Sequence, residues 1–275
     1  MQVRRGFVGI AEGDVHYRAA GQGGVPLVMF HPSPFSALVL EPLVAALGED
    51  RRVVAPDTLG NGDSCAPAMA EPDIAYFAEA SLRVLDALGI SQADLYGAHT
   101  GARIATHIAL THPDRVRKIV LDGFGLYAPD ALQEILATYA PAIAPDDQAR
   151  HLIWAWHFVR DQHLFFPWFK RDAAHRYARD MPDAARLHAL FLETAKAIGT
   201  YHLSYRAAFR YSMAEHLPRL RHPVLLAFCR DDMVFPQFEA AQALLPEAAA
   251  HATPGCETAA AARETAAILR AFLDD

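Results

Sequence analysis

The sequence predicts an α/β fold built on a largely parallel sheet. Three observations carry that expectation. Short apolar runs alternate with amphipathic helical stretches from about residue 25 to residue 125, a rhythm that calls for right-handed crossovers between parallel strands. The rhythm breaks over residues 126–221, which are helical in pattern and rich in aromatics, and then resumes to the C-terminus. At residues 94–103 an apolar strand passes through a turn between Gly97 and Gly101 and enters a helix, with His99 at the centre.

Taken in order, residues 7–11 and 15–19 are strand-like runs around the turn signal Glu12-Gly13-Asp14 and read as a hairpin. Residues 25–30 are almost continuously apolar, as a strand buried on both faces should be. They end in His31-Pro32-Ser33-Pro34. A helix over 36–47 stops at Gly48, and a strand over 52–56 leads into Asp57-Thr58-Leu59-Gly60-Asn61-Gly62-Asp63-Ser64. A helix over 74–88 stops at Gly89. The strand 93–97 and the helix 100–110 frame His99, and the strand 116–121 is followed by Asp122-Gly123. Beyond the helical stretch, a strand over 223–228 ends at Cys229-Arg230-Asp231-Asp232, and a helix follows over 238–245. Residues 248–253 form only a weak strand, because alanine is a poor strand former. The helix 257–273 closes the chain. The division implied is a core of residues 1–125 and 222–275, with residues 126–221 as a helical cap.

Composition narrows the function. With 275 residues, 52% of them hydrophobic, the chain can bury one large core with an insertion. The net charge of −7 comes from interspersed acids and bases with no basic stripe, which argues against a nucleic-acid partner. No apolar run approaches a membrane span, and the two arginines near the N-terminus are not followed by a signal-peptide core, so no membrane partner and a cytoplasmic location are expected. Cys65, Cys229 and Cys256 are odd in number and far apart, which fits a reducing compartment. The densest histidine run, His151, His157, His163 and His175, lacks metal-site spacing, so no metal and no cofactor are expected. The expected partner is a small-molecule substrate, and a homodimer is left open.

Four motifs in order resemble the α/β-hydrolase superfamily over nearly the whole chain. His31-Pro32-Ser33-Pro34 is similar to the family's H-G-x-P oxyanion loop, with Pro32 in the glycine place. Residues 57–64 look like its D-x-x-G-x-G-x-S loop. Gly97 to Gly101 matches the nucleophile elbow, G-x-S-x-G, with its strained strand-to-helix turn. Asp232 stands where the family's triad acid follows a strand. The resemblance implies an α/β-hydrolase fold, a mostly parallel central sheet flanked by helices with a helical cap insertion. Two positions depart from the pattern. His99 replaces the nucleophilic serine, and the turn that should carry the catalytic histidine reads Thr253-Pro254-Gly255-Cys256-Glu257-Thr258. Cys256 or Glu257 fills that slot, so the ordinary serine–histidine–acid mechanism does not carry over.

The chemistry left to such a site centres on His99. An imidazole titrates near neutrality and can act as general base or nucleophile. The N–H of Thr100, at a helix N-terminus, and the N–H of Ser33 would form an oxyanion hole. Asp232 would hold the ring, with Asp122 as a second candidate acid. The expected activity is hydrolysis, or a lyase-type step, on a small ester, lactone or activated carbonyl compound. Two alternatives stand beside it: a Cys256 nucleophile with His99 as its base, and a catalytically silent ligand-binding or receptor-like protein on the same fold. For substrate contacts, Arg103 lies one helical turn past the elbow, and His157, Arg160 and Trp168 of the cap are candidates for roofing the pocket.

Overall fold

A computed structural model describes residues 1–177 and 179–275. Eight strands form one sheet in the order β1-β2-β4-β3-β5-β6-β7-β8. They are β1 (Arg4–Ile10), β2 (Gly13–Ala20), β3 (Leu27–Phe30), β4 (Val53–Pro56), β5 (Ala93–Ala98), β6 (Val116–Asp122), β7 (Val224–Cys229) and β8 (Ala249–Thr253). The expected hairpin is β1–β2, and β2 pairs antiparallel with β4. Every other pairing is parallel. β8 forms despite its alanines because Ala249 to Thr253 ladder onto Leu225 to Cys229, a case of pairing overriding propensity.

The helices of the sheet domain are α1 (Glu41–Leu47), α2 (Ile74–Ala87), α3 (Thr100–Thr111), α9 (Phe238–Leu244) and α10 (Ala259–Leu273); between β6 and β7 run α4 (Pro129–Thr138), α5 (Arg150–Gln162), α6 (Ala184–Lys196), α7 (Tyr201–Arg210) and α8 (Met213–His216). The single helix expected over 36–47 is instead a 3-10 turn, Ala37–Leu40, followed by α1. Pro42 has no N–H to continue an α-helical ladder from the preceding turn, so α1 starts around it. Asp73 caps α2 by accepting from the Tyr76 N–H at 2.8 Å, a contact that stabilises a helix start by about 1 kcal/mol.

The strand period of two sorts the core onto the two faces of the sheet. Leu27 and Met29 join Leu43, Leu47, Leu269 and Leu273 under α1 and α10. Val28 and Phe30 join Phe77, Ile104 and Ile108 under α2 and α3. A third, aromatic cluster belongs to the segment between β6 and β7 and includes Tyr139, Phe158, Trp168, Tyr201, Tyr205 and Phe209. Other residues of the segment join the sheet's own core, Val159, Leu187 and Leu190 on one face and Ala207, Ala208 and Met213 on the other, and the segment lines one cavity with the carboxyl ends of β3, β5, β6 and β7. Open parallel sheets bind ligands at those ends. No helix among the described residues is long and apolar enough to cross a membrane.

Candidate active site

The elbow is built by close packing. A side chain on Gly97 would run into the backbone of Gly101, and one on Gly101 would run into the carbonyl of Phe30. Only glycines let β5 turn into α3 at this distance. His99 between them has φ 50° and ψ −103°, a conformation that costs a non-glycine residue on the order of 1–3 kcal/mol. Its N–H donates to the Gly123 carbonyl at 2.9 Å, which ties the strained residue to the end of β6.

The ring of His99 meets Asp232. Its Nε2 lies 2.7 Å from Asp232 Oδ2, and the other carboxylate oxygen accepts from the Val234 N–H at 2.9 Å. The His99 side chain is 26% exposed. With Nε2–H donated to Asp232, the Nδ1 lone pair is the one left for a ligand. Burial alone would lower the His99 pKa, but the charge of Asp232 and the hydrogen bond to it outweigh burial and hold it above the ordinary value. Asp232 is held below the usual carboxylate range, its burial outweighed by His99 and by the Val234 N–H. Gly123 stands against the pair: a Cβ there would come 3.4 Å from His99 Nε2 and 3.5 Å from Asp232 Oδ2. Sequence reasoning passed over Gly123, whose signal was its place directly after the strand-end acid.

His99 and Asp232 open into a cavity of about 210 Å³ between the sheet and the segment above it. Ser33 and Thr100 line it as well. The Thr100 N–H is the first of α3 and has no intrahelical acceptor. Ser33 Oγ is tied to Ser204 Oγ at 2.7 Å, and Ser204 reaches Asn61 at 3.1 Å. The oxyanion-type loop is thereby clamped to α7. His31 is fully buried: its Nε2 accepts from the Thr58 N–H at 2.9 Å and its Nδ1 donates to the Pro32 carbonyl, so it is a neutral strut, with burial pushing its pKa down. The glycine-rich loop over 57–64 is structural in the same way. Asp57 accepts from the N–H groups of Ala37 and Asp63 and from His16.

Asp122 also reaches the cavity, beside the elbow, since Ala98 and Asp122 are register partners. It is buried and accepts from the Tyr96 hydroxyl. Burial is the largest influence on it and pushes its pKa up to about 7. It is not the partner of His99. Cys256 lines the cavity too, but its thiol contacts the Val39 carbonyl at 3.6 Å and makes no hydrogen bond to His99. Burial pushes that thiol up to about 12, far from a thiolate at neutral pH. Glu257 lines the same wall.

The cap candidates divide differently from the sequence reading. His157 is exposed, and Arg160 binds Asp161 at 2.8 Å. Trp168 is buried within the aromatic cluster, its Nε1–H donated to the Tyr139 carbonyl at 3.0 Å. None of the three lines the cavity. The reason is the phase of α5, which buries Ala155, Phe158, Val159 and Gln162 and turns His157 outward. The residues between β6 and β7 that do line the cavity include Gln162, His163, Arg179 and Arg186. Arg179 holds His163 Nδ1 at 2.9 Å and donates to the Asp231 carbonyl at 3.0 Å, which fastens this segment to the loop that carries Asp232. Burial, then Arg179 and Arg186, push His163 down to about 4, so it is a neutral ring. Arg103 lines the cavity from α3.

Comparison with known proteins agrees with this architecture. Residues 25–257 match the family model of the alpha/beta hydrolase fold. The 2-hydroxymuconate semialdehyde hydrolase of Pseudomonas sp. strain CF600 is 42% identical over 103 residues, which is 36% of this chain and 36% of that protein. A 2-hydroxy-6-oxononadienedioate/2-hydroxy-6-oxononatrienedioate hydrolase of Paraburkholderia xenovorans is 38% identical over 135 residues, 45% of each chain. These matches span less than half the length of either relative. The crystal structure of the enol-lactonase from Burkholderia xenovorans superposes with a TM-score of 0.75 at 18% identity, covering 98% of this chain and 100% of that one. With more than half of its length matched by the family model, the chain belongs to the alpha/beta hydrolase fold family.

Proposed function

We propose that the protein is a cofactor-free hydrolase of a small ester, lactone or activated carbonyl compound, with His99 as general base. The observation that carries this reading is the 2.7 Å contact between His99 Nε2 and Asp232 Oδ2 at a strained elbow, which leaves Nδ1 for the reacting molecule. In the family pattern the acid holds a histidine on the last turn. Here the imidazole is on the elbow and engages the acid directly.

The step follows from the geometry. A water gives its proton to His99 Nδ1, and Asp232 stabilises the imidazolium. The attacking oxygen bonds to the carbonyl carbon while the carbonyl π pair moves onto oxygen. The N–H groups of Thr100 and Ser33 support that oxyanion, and the helix start adds partial positive charge. When the oxyanion collapses, the bond to the leaving group breaks and the proton on Nδ1 passes to it. In the nucleophilic variant Nδ1 bonds to the carbonyl carbon, collapse of the oxyanion expels the leaving group, and water then cleaves the acyl-imidazole to free the ring, its proton passing to the leaving group.

The relatives named above are hydrolases by their descriptions, which supports the reaction class. The Cys256 reading has no such support, because its thiol is neutral and engaged with Val39. The test is turnover of a panel of short aryl esters, lactones and β-keto acids by the wild type and by His99→Ala. Turnover by the wild type that His99→Ala abolishes is the expected result. Equal turnover by both proteins would remove His99 from the chemistry, and no turnover by either, with ligand binding retained, would favour the receptor-like alternative.

A further inference from the structure

The cavity holds a cation that the hydrolytic step leaves unused. Arg103 is only 4% exposed and lines the cavity one helical turn beyond His99. Its Nη1 donates to the His99 carbonyl and its Nη2 to the Gly125 carbonyl, each at 3.1 Å. Its Nε is buried with no acceptor. Among the described residues no carboxylate lies within ion-pair distance of it. Other arginines shielded by this fold are treated differently: Arg18 pairs with Glu41, Arg117 with Asp94, and Arg51 with Asp274.

An uncompensated buried guanidinium is costly, because two neutral carbonyls do not replace lost hydration. Its position makes matters worse. The start of α3 already carries partial positive charge, and a cation in the first helical turn adds to it. Nor do the ionisable neighbours help. Tyr127 and Tyr211 face Arg103, and burial pushes both phenols up, so neither is a phenolate at neutral pH. The roof supplies no counter-charge for it and adds Arg186, which also has no carboxylate partner among the described residues. A bound anion would relieve all of this at once.

We propose that Arg103 is the binding site for a carboxylate of the substrate. The substrate is then a carboxylate-bearing ester, lactone or β-dicarbonyl compound rather than a neutral one. The guanidinium stands beside the backbone of His99 itself, its Nη1 3.1 Å from the His99 carbonyl oxygen. The carboxylate would therefore be only a few bonds from the carbonyl that faces His99, and the Arg103 fork would fix its orientation. The inference deepens the hydrolytic reading of the same cavity and rests on it, but its test needs no turnover.

The probes are benzoate and benzamide, which have similar shape and differ in charge, titrated calorimetrically into wild type, Arg103→Met, Arg103→Lys and His99→Ala. The expected result is benzoate binding at least about tenfold tighter than benzamide in wild type, about 1.4 kcal/mol. Arg103→Met loses that preference, Arg103→Lys keeps part of it, and His99→Ala keeps it whether or not the enzyme turns anything over. A wild type without preference overturns the proposal, even if Arg103→Met fails to fold. So does an Arg103→Met protein that keeps the preference, or one that loses both ligands equally, which would make Arg103 a brace for the elbow alone.

Discussion

The turn after β5 and the turn after β8 both deliver a side chain to the cavity, and they deliver opposite kinds of chemistry. After β5, a strained backbone presents His99 beside an ionised partner 2.7 Å away. After β8, Gly255 with φ +74° presents Cys256, a buried thiol against a neutral carbonyl. The fold keeps both turns. What differs is the company: the β5 turn lies beside the loop of Asp232, while nothing charged binds the group on the β8 turn. Position in the fold aims a side chain, but a paired charge makes it reactive.

If that contrast holds, the largest effect belongs to His99→Ala, with kcat falling by about 10²- to 10⁴-fold. Steady-state kinetics on any turned-over substrate of the panel would show it. Asp232→Asn comes next, with a loss of about 10- to 100-fold, since the ring keeps a hydrogen-bond partner but loses the charge that stabilises the imidazolium. Its pH profile adds a sign. His99 titrates above its ordinary value, so the wild-type rate rises with pH through that raised pKa as the base form appears. In Asp232→Asn the acidic limb moves to lower pH while the plateau falls.

A smaller effect concerns stability and Asp122. Its folded-state pKa of about 7 lies above the unfolded carboxyl value near 3.8. The unfolded chain therefore ionises first, and this residue's contribution to stability is lost as pH rises between those two values. Asp122→Asn has no such loss, so its melting temperature should gain on wild type between pH 4 and pH 8. Thermal scans at both pH values would read the gain, and a difference independent of pH would refute a protonated Asp122. Smallest of all is Cys256→Ser, expected to change kcat by less than about threefold. A drop as large as that of His99→Ala would reverse the comparison between the two turns.

Much of the fold was legible because its signals are local. The glycine spacing at 97 and 101, the continuous apolar run of β3 and the Gly89 stop after α2 are all properties of a few neighbouring residues. His99 was legible from that glycine spacing, and Asp232 only from the place that the α/β-hydrolase resemblance gives its acid. The cap was harder to read. The apolar residues Ala155, Phe158 and Val159 already had the i, i+3, i+4 spacing of an inward face, and that period outranks the chemistry of His157 and Arg160 in setting the phase of α5. Arg179 and Arg186 had no such signal. They reach the cavity only because of how the segment between β6 and β7 packs, and that packing is set by contacts between residues far apart in sequence. Asp122 was legible as a strand-end acid, but its lack of a cationic partner was not, because that depends on which way the His99 ring turns.

The most direct measurement needs no substrate: long-range ¹H–¹⁵N correlation spectra of the histidine rings, recorded across pH, with His99 assigned by its loss in His99→Ala. The expected result is a neutral His99 protonated on Nε2, titrating above its ordinary value of about 6.5, with the pKa falling in Asp232→Asn. A proton resident on Nδ1, or a pKa that Asp232→Asn leaves unmoved, would contradict it.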